Sequence, residues 1–367
     1  MRKKRIEWLD IARGITILAV VIGHTFQSQT FSMQTLPAKI IFAFHMPLFF
    51  IVSGYLFHQQ RLRIVLRKGI RSLLVPYLGT SGIFIIAFVL AKFNILPDIF
   101  FSPFHDIRQL VVSILYGFGG GPFGTVNPFG WNIALIGIIW FLLAMFWTNL
   151  IFQAIYQYSK RYSNCDVVLA IFVSIIVVIG INLARLWILP LALDSAFLAV
   201  AFFYVGYLLQ KIDLEALIRQ PMIIFVMLLL WLVSAKNGLF QMSAISYIPS
   251  GNFLTAIIGG VSGTLVIFAL SMFLKRFSRI KKTLSLLGRR SLVMMCFHAI
   301  DVGTLTISSA VLASTVNYPR AIVFIALMLA RLITPIVFTL GMPYIPGLRA
   351  IYLPRRAQKR TETSQHK

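Results

Sequence analysis

The stretch WLDIARGITILAVVIGHTFQSQT, residues 8–30, is long enough and apolar enough to cross a bilayer, yet it carries Arg13 and His24. Eleven positions separate the two. At about 100° per residue both side chains fall on one helical face, roughly 16 Å apart along the axis. An anchor needs neither group. Ionisable residues at membrane depth are costly, so a cation and a base on one face read as a functional surface turned into a helical bundle.

The rest of the chain has the same character. Of 367 residues 59% are hydrophobic and 12% charged, with 32 Phe and a mean hydropathy of +0.86. No soluble domain is evident. Ten apolar segments of spanning length are expected, at 8–30, 39–57, 73–93, 131–153, 166–186, 190–210, 221–238, 252–274, 291–314 and 321–341. The fold class is therefore an all-α polytopic membrane protein of about ten transmembrane helices. With the amino terminus inside, 26 of the 34 Lys and Arg fall on cytoplasmic pieces and six on the outer side. That bias follows the positive-inside rule and puts both termini in the cytoplasm.

The net charge of +24 is thus explained by orientation and anionic headgroups, and it calls for no nucleic acid. The basic start followed by an apolar run is too long, and too interrupted by Arg13 and His24, for a signal peptide; an uncleaved first helix is expected. Cys165 and Cys296 have no metal-ligand spacing, so two free thiols and no metal are expected. The domain organisation is one membrane domain, 1–350, and a basic disordered cytoplasmic tail, 351–367. The outer segment Asn94–Gly130 contains an apolar run, 106–118, too short to span and read as interfacial or re-entrant. GFGGGPFG, 117–124, lacks the Lys-Ser/Thr and the strand-turn-helix setting of a phosphate loop and reads as an outer loop.

Counting from helix ends puts His24 and His45 at one depth in the outer half. Neutral imidazole suits a general base. Arg13 lies near the cytoplasmic end, where it either pairs locally with Asp10 or faces an anion from the cytosol, for which a guanidinium fork is fitted. Lys68 and Arg71, at the inner entrance to the third helix, add to such a mouth. Asp301 and Arg331 sit halfway along the last two helices and read as a structural ion pair, which His298 could join. Trp140 and Trp131 read as bundle and interfacial aromatics, with acceptor stacking conceivable at Trp131. Ser53 in VSGY reads as close packing rather than as a nucleophile.

The chain resembles the integral-membrane acyltransferase-3 family over most of its length. The family's Arg, ten residues, His appears as RGITILAVVIGH, 13–24, after Asp10. FHMPLFFIVSGYLF at 44–57, RSLLVPY at 71–77, WFLLAMF at 140–146 and LGRRSLVMMCFH at 287–298 follow in the family's order. The family's Arg-x-x-Arg at the third helix is here Lys68 and Arg71. The resemblance implies an O-acyltransferase of cell-envelope polysaccharide or glycolipid sugars, in the plasma or inner membrane, with acetyl-CoA as donor. CoA phosphates would meet Arg13, Lys68 and Arg71, and His24 would be base or acyl carrier. His45 and Trp131 would support the acceptor side. Membrane lipids and the glycan acceptor would complete the system, with the membrane domain acting alone or with a separate extracytoplasmic partner. The rival readings are a transporter or flippase of polysaccharide precursors and a non-catalytic subunit of an envelope-synthesis complex.

Overall fold

The computed structural model describes residues 5–28, 30–119, 125–126, 130, 132–186, 188–240, 242 and 253–353. The helices are α1 (Glu7–Thr25), α2 (Leu36–Tyr55), α3 (Leu62–Lys92), α4 (Ile107–Tyr116), α5 (Trp140–Ser159), α6 (Cys165–Leu186), α7 (Leu193–Leu209) and α8 (Leu214–Ile218). They continue as α9 (Pro221–Asn237), α10 (Phe253–Leu274), α11 (Ser278–Arg289), α12 (Ser291–Thr304), α13 (Ile307–Ser314), α14 (Arg320–Gly341) and α15 (Pro346–Tyr352). One two-residue antiparallel pair, Thr125–Val126 with Ile133–Ala134, and three 3-10 turns, Gly137–Ile139, Pro190–Ala192 and Met342–Tyr344, are the rest of the regular structure among the described residues.

Of the ten expected segments, eight are helices long and apolar enough to span. The other two are shorter. Segment 221–238 forms the 17-residue α9. Segment 291–314 is broken in two after Thr304, because Leu305 leaves the helix and pairs in β fashion with Phe100. Phe101 N–H bonds Thr304 O at 2.9 Å and Thr306 N–H bonds Ile99 O at 3.0 Å. Irregular backbone at membrane depth is tolerated only where protein satisfies it, and here the 99–101 segment does.

Six helices close a circuit in which each packs on the next: α1, α2, α7, α5, α3 and α12, with α12 returning to α1. The remaining long helices pack outside it. α6 is only 28% buried over its apolar window, and α14 exposes Ile322, Ile325, Leu329, Ile333 and Val337, as lipid-facing helices do. Several serine and threonine donors inside the spans return to the carbonyl four residues back, as in Ser53 to Phe49 and Thr148 to Ala144. That keeps their hydroxyls satisfied without water.

Two crossings are too close for any side chain. A Cβ on Gly54 would lie 1.9 Å from Phe203 O, and one on Gly206 would lie 2.0 Å from Ile51 O. At the other crossing, Gly14 meets Leu284 O at 2.1 Å and Gly288 meets Asp10 O at 1.8 Å by the same measure. Small residues let membrane helices approach to backbone contact, and Ser53 beside Gly54 belongs to the first of these packings.

The third helix begins earlier than its hydropathy suggests. α3 runs 31 residues, so the basic 61–71 cluster is a helical extension of the span, joined through a π-helical turn at Ile70–Leu74. The outer segment turns inward. Tyr77 Oη donates to Ile114 O at 2.5 Å. Since Tyr77 lies about 22 Å along α3 from Lys92, α4 reaches well below the outer end of that helix. Asp106 caps α4 by accepting from Gln109 N–H at 2.7 Å, a bond that also holds the exposed Asp106 carboxyl below its usual range. Gly117 ends α4 in the left-handed region, at φ 68°, so the first glycine of GFGGGPFG is a helix cap. Residues 120–124 of that run lie outside the described residues.

At the carboxyl end, α15 crosses the expected domain boundary at 350. Tyr352 is buried and shares a 3.0 Å hydrogen bond with Thr80, so the membrane domain extends through Leu353. The remainder of the basic tail, 354–367, lies outside the described residues. Both cysteines are free, Cys296 buried and Cys165 partly so.

Candidate functional site

His24 sits in the last turn of α1, where a helix presents unpaired carbonyls and the negative end of its dipole. Its Nδ1 lies 2.5 Å from Gln27 Oε1, just beyond the helix end. The His24 carbonyl, which already accepts from Gln27 N–H at 3.1 Å, also receives Arg331 Nη1 from α14. Arg331 Nε donates to Ser308 Oγ at 3.1 Å. The guanidinium thus ties α1, α13 and α14 together and puts positive charge at the carboxyl end of α1.

The expected ion pair between Asp301 and Arg331 is not formed directly. Asp301 Oδ1 instead accepts from Thr334 Oγ1 at 3.2 Å, and Arg331 is occupied as described. The reason lies in the bend after Thr304. It brings Ser308 and the end of α1 within reach of the guanidinium, and neutral acceptors outcompete the carboxylate. Arg331→Met is expected to cost about 1–3 kcal/mol of stability, because it removes two charge-assisted hydrogen bonds that join three helices. Adding Asp301→Asn should recover none of that loss in a thermal-unfolding cycle. Recovery would restore the direct pair.

Three histidines gather on this side of the bundle. The rings of His24 and His298 are 5.5 Å apart between centroids, tilted by 50°. The Phe42 ring lies between His24, at 6.0 Å, and His45, at 4.8 Å, edge-on to both. His45 itself is buried and bonds Ile41 O at 2.9 Å, a link within its own helix that fits a supporting position. His298 is fully buried with no hydrogen-bond partner on either nitrogen, and Asp301 Oδ2 is likewise unpartnered. Among the described residues no three His, Cys, Asp or Glu side chains converge as metal ligands do.

At the cytoplasmic end the expected local pair is replaced. Arg5 Nε bonds Asp10 Oδ2 at 2.5 Å and Arg5 Nη2 bonds Oδ1 at 3.2 Å, so the carboxylate is engaged bidentately by Arg5. Arg13, half-buried on α1, makes no hydrogen bond or ion pair of its own among the described residues. Lys68 and Arg71 are exposed on α3, which does not neighbour α1 in the circuit. Lys68 Nζ donates to Gln60 Oε1, whereas Arg71 has no such attachment. Of the basic residues expected at this mouth, Arg13 and Arg71 stand on separate helices with no hydrogen bond or ion pair among the described residues, and the structure does not join them.

Trp140 is buried, edge-on to Phe141, as a bundle aromatic. Trp131 lies outside the described residues. A pocket on the outer face is lined by His105, Asp106, Arg108, Gln109, Val112 and Asn132. It shares no residue with the His24 cluster, and its Asp106 and Gln109 are used in capping α4. Sequence reasoning missed Gln27, which only its three-residue offset from His24 could have signalled. His298, read from the sequence as a member of the Asp301–Arg331 network, lies against the His24 ring.

A family model described as an acyltransferase domain matches residues 6–340. No curated protein and no solved structure matches the chain.

Proposed function

The chain belongs to this acyltransferase family, and on that premise we propose that it moves an acetyl group from cytosolic acetyl-CoA to a hydroxyl of a cell-envelope sugar or polysaccharide, in the plasma or inner membrane. The observation that carries this reading is the 2.5 Å contact of His24 Nδ1 with Gln27 Oε1. An amide oxygen only accepts, so with the amide in this orientation Nδ1 holds the proton and Nε2 keeps a free lone pair. A neutral imidazole in that tautomer is a general base.

The acceptor hydroxyl attacks the thioester carbonyl carbon while its proton passes to His24 Nε2. A carbon–oxygen bond forms and the carbon–sulfur bond breaks, its electron pair leaving on sulfur. The imidazolium proton then returns to the thiolate, which gives an acetyl ester, CoA thiol and the original neutral histidine. In the other order of events, Nε2 attacks the thioester carbon first, the carbon–sulfur bond breaks and CoA leaves as thiolate; the hydroxyl then cleaves the acyl-imidazole and its proton goes to the thiolate. The same nitrogen serves both.

The donor would enter from the cytoplasmic end of α1. CoA carries a diphosphate and a separate phosphate on the ribose, so Arg13 and Arg71 on different helices suit phosphates that are themselves apart. The roughly 16 Å from Arg13 to His24 leaves room for an extended arm between the phosphates and the thioester. Acetyl would cross the membrane while CoA stays on the cytoplasmic side. Glycan acceptor, membrane lipids and a separate extracytoplasmic partner are the associations this reading implies.

CoA binding to detergent-solubilised protein tests the reading. Arg13→Ala and Arg71→Ala are each expected to weaken affinity by about 10-fold or more, the scale of a lost charge-assisted hydrogen bond. Arg13→Lys should also bind poorly, since an ammonium cannot reproduce the guanidinium fork. His24→Ala should bind CoA almost as wild type does. Folded wild-type protein that shows no binding at millimolar CoA would favour a transporter of polysaccharide precursors instead.

A further inference from the structure

Three buried polar atoms beside His24 have no partner to account for them: both ring nitrogens of His298 and Oδ2 of Asp301. Protein interiors satisfy almost every such atom, and the penalty for failing to do so rises where water is scarce. Several local solutions were open to the fold. Arg331, the nearby cation, could have turned to the carboxylate, but its hydrogen bonds go to the His24 carbonyl and to Ser308. Thr334 reaches only the other carboxylate oxygen.

The unpartnered atoms are placed together by the same elements that place His24. His298 and Asp301 are three residues apart on α12 and therefore share a face. α12 packs on α1, and the His298 ring lies 5.5 Å from that of His24, the half-buried member of the group. The β-type pairing of Phe100 with Leu305 stops α12 one turn after Asp301 and pins its end. A ligand that reaches His24 is thus within one ring's breadth of an imidazole that can donate or accept and close to a carboxylate oxygen that can only accept.

A simple alcohol has one hydroxyl, which would be used at His24 and would leave these atoms bare. A vicinal diol has a second hydroxyl that can donate to Asp301 Oδ2 and accept from a His298 N–H. We infer that His298 and Asp301 form an acceptor subsite beside His24 that recognises the hydroxyl next to the one being acylated. The inference rests on the transferase reading and adds to it a stereochemical demand on the acceptor.

The test uses purified full-length protein with acetyl-CoA and two small probes, methyl glucoside as the vicinal polyol and 1-propanol as the single hydroxyl. Ester formation and CoA thiol release are both followed. Wild type is expected to favour methyl glucoside over propanol by about 10-fold or more in kcat/KM, the scale of one charge-assisted hydrogen bond. Asp301→Asn and His298→Gln, checked for a wild-type melting curve, should bring that ratio close to one, mainly by raising KM for the glucoside. A folded variant that keeps the wild-type ratio overturns the subsite. So does a wild-type enzyme that shows no preference for the glucoside, a comparison that needs no variant to fold. If wild type releases no CoA with either probe and binds none, the transferase reading itself fails, and the two failures are told apart by thiol release alone.

Discussion

Replacing His24 by alanine is expected to lower acetyl transfer by about two to four orders of magnitude, the range for loss of a general base. Expression, membrane insertion and CoA binding should stay near wild type. The side chain makes one polar contact, with Gln27, and its removal leaves the backbone bond from Arg331 to the His24 carbonyl in place. Gln27 offers a graded companion. Gln27→Glu keeps an acceptor for Nδ1–H and should retain activity, while Gln27→Leu frees the tautomer and should lose much of it at unchanged CoA affinity. Transfer above a tenth of wild type in purified His24→Ala protein would remove His24 from the chemistry.

The largest effect on folding is expected at the two backbone crossings. Gly54→Val or Gly288→Val puts a side chain within 2 Å of a carbonyl oxygen that belongs to the neighbouring helix's backbone, Phe203 in one case and Asp10 in the other. No rotamer change can relieve that, so helices must separate. A cost of about 3 kcal/mol or more follows, read as loss of the monodisperse peak after detergent extraction. Gly82→Ala is the control, because nothing lies within 4 Å of a Cβ there. It should be neutral or slightly stabilising through helix propensity, by up to about 1 kcal/mol. Wild-type stability in both valine variants would show that the crossings can open freely.

The crossings also position the chemistry. Gly14 and Gly288 bring α11 against the Arg13 end of α1, while Arg331 and α12 hold its His24 end. Both ends of the helix that carries cation and base are thereby fixed by contacts outside that helix. A loose first helix would let the two residues wander relative to the rest of the site, and small misplacements are costly in catalysis.

Much of this was legible in the chain as a string of residues. Apolar runs longer than a bilayer is thick, and a positive charge bias on alternate loops, determine an all-helical membrane protein, because only spans that satisfy their own backbone are stable in lipid. Residues 13 and 24 share a face of α1 by helical geometry alone, and their cost at that depth makes them the candidates for function. The Arg-to-His spacing and the motifs that follow it pointed to the family that the match over 6–340 establishes. What the string could not determine is every choice between partners. Asp10 takes Arg5 and not Arg13; Arg331 takes the His24 carbonyl and Ser308 and not Asp301; His298 lies against His24. These choices were decided in the folded structure because hydrogen bonds and ion pairs act over a few ångströms, and the contacts of His24 with Arg331 and His298 join helices hundreds of residues apart in the chain. Which acceptor wins depends on where the break after Thr304 and the glycine crossings put the backbones, and neither hydropathy nor periodicity carries that information.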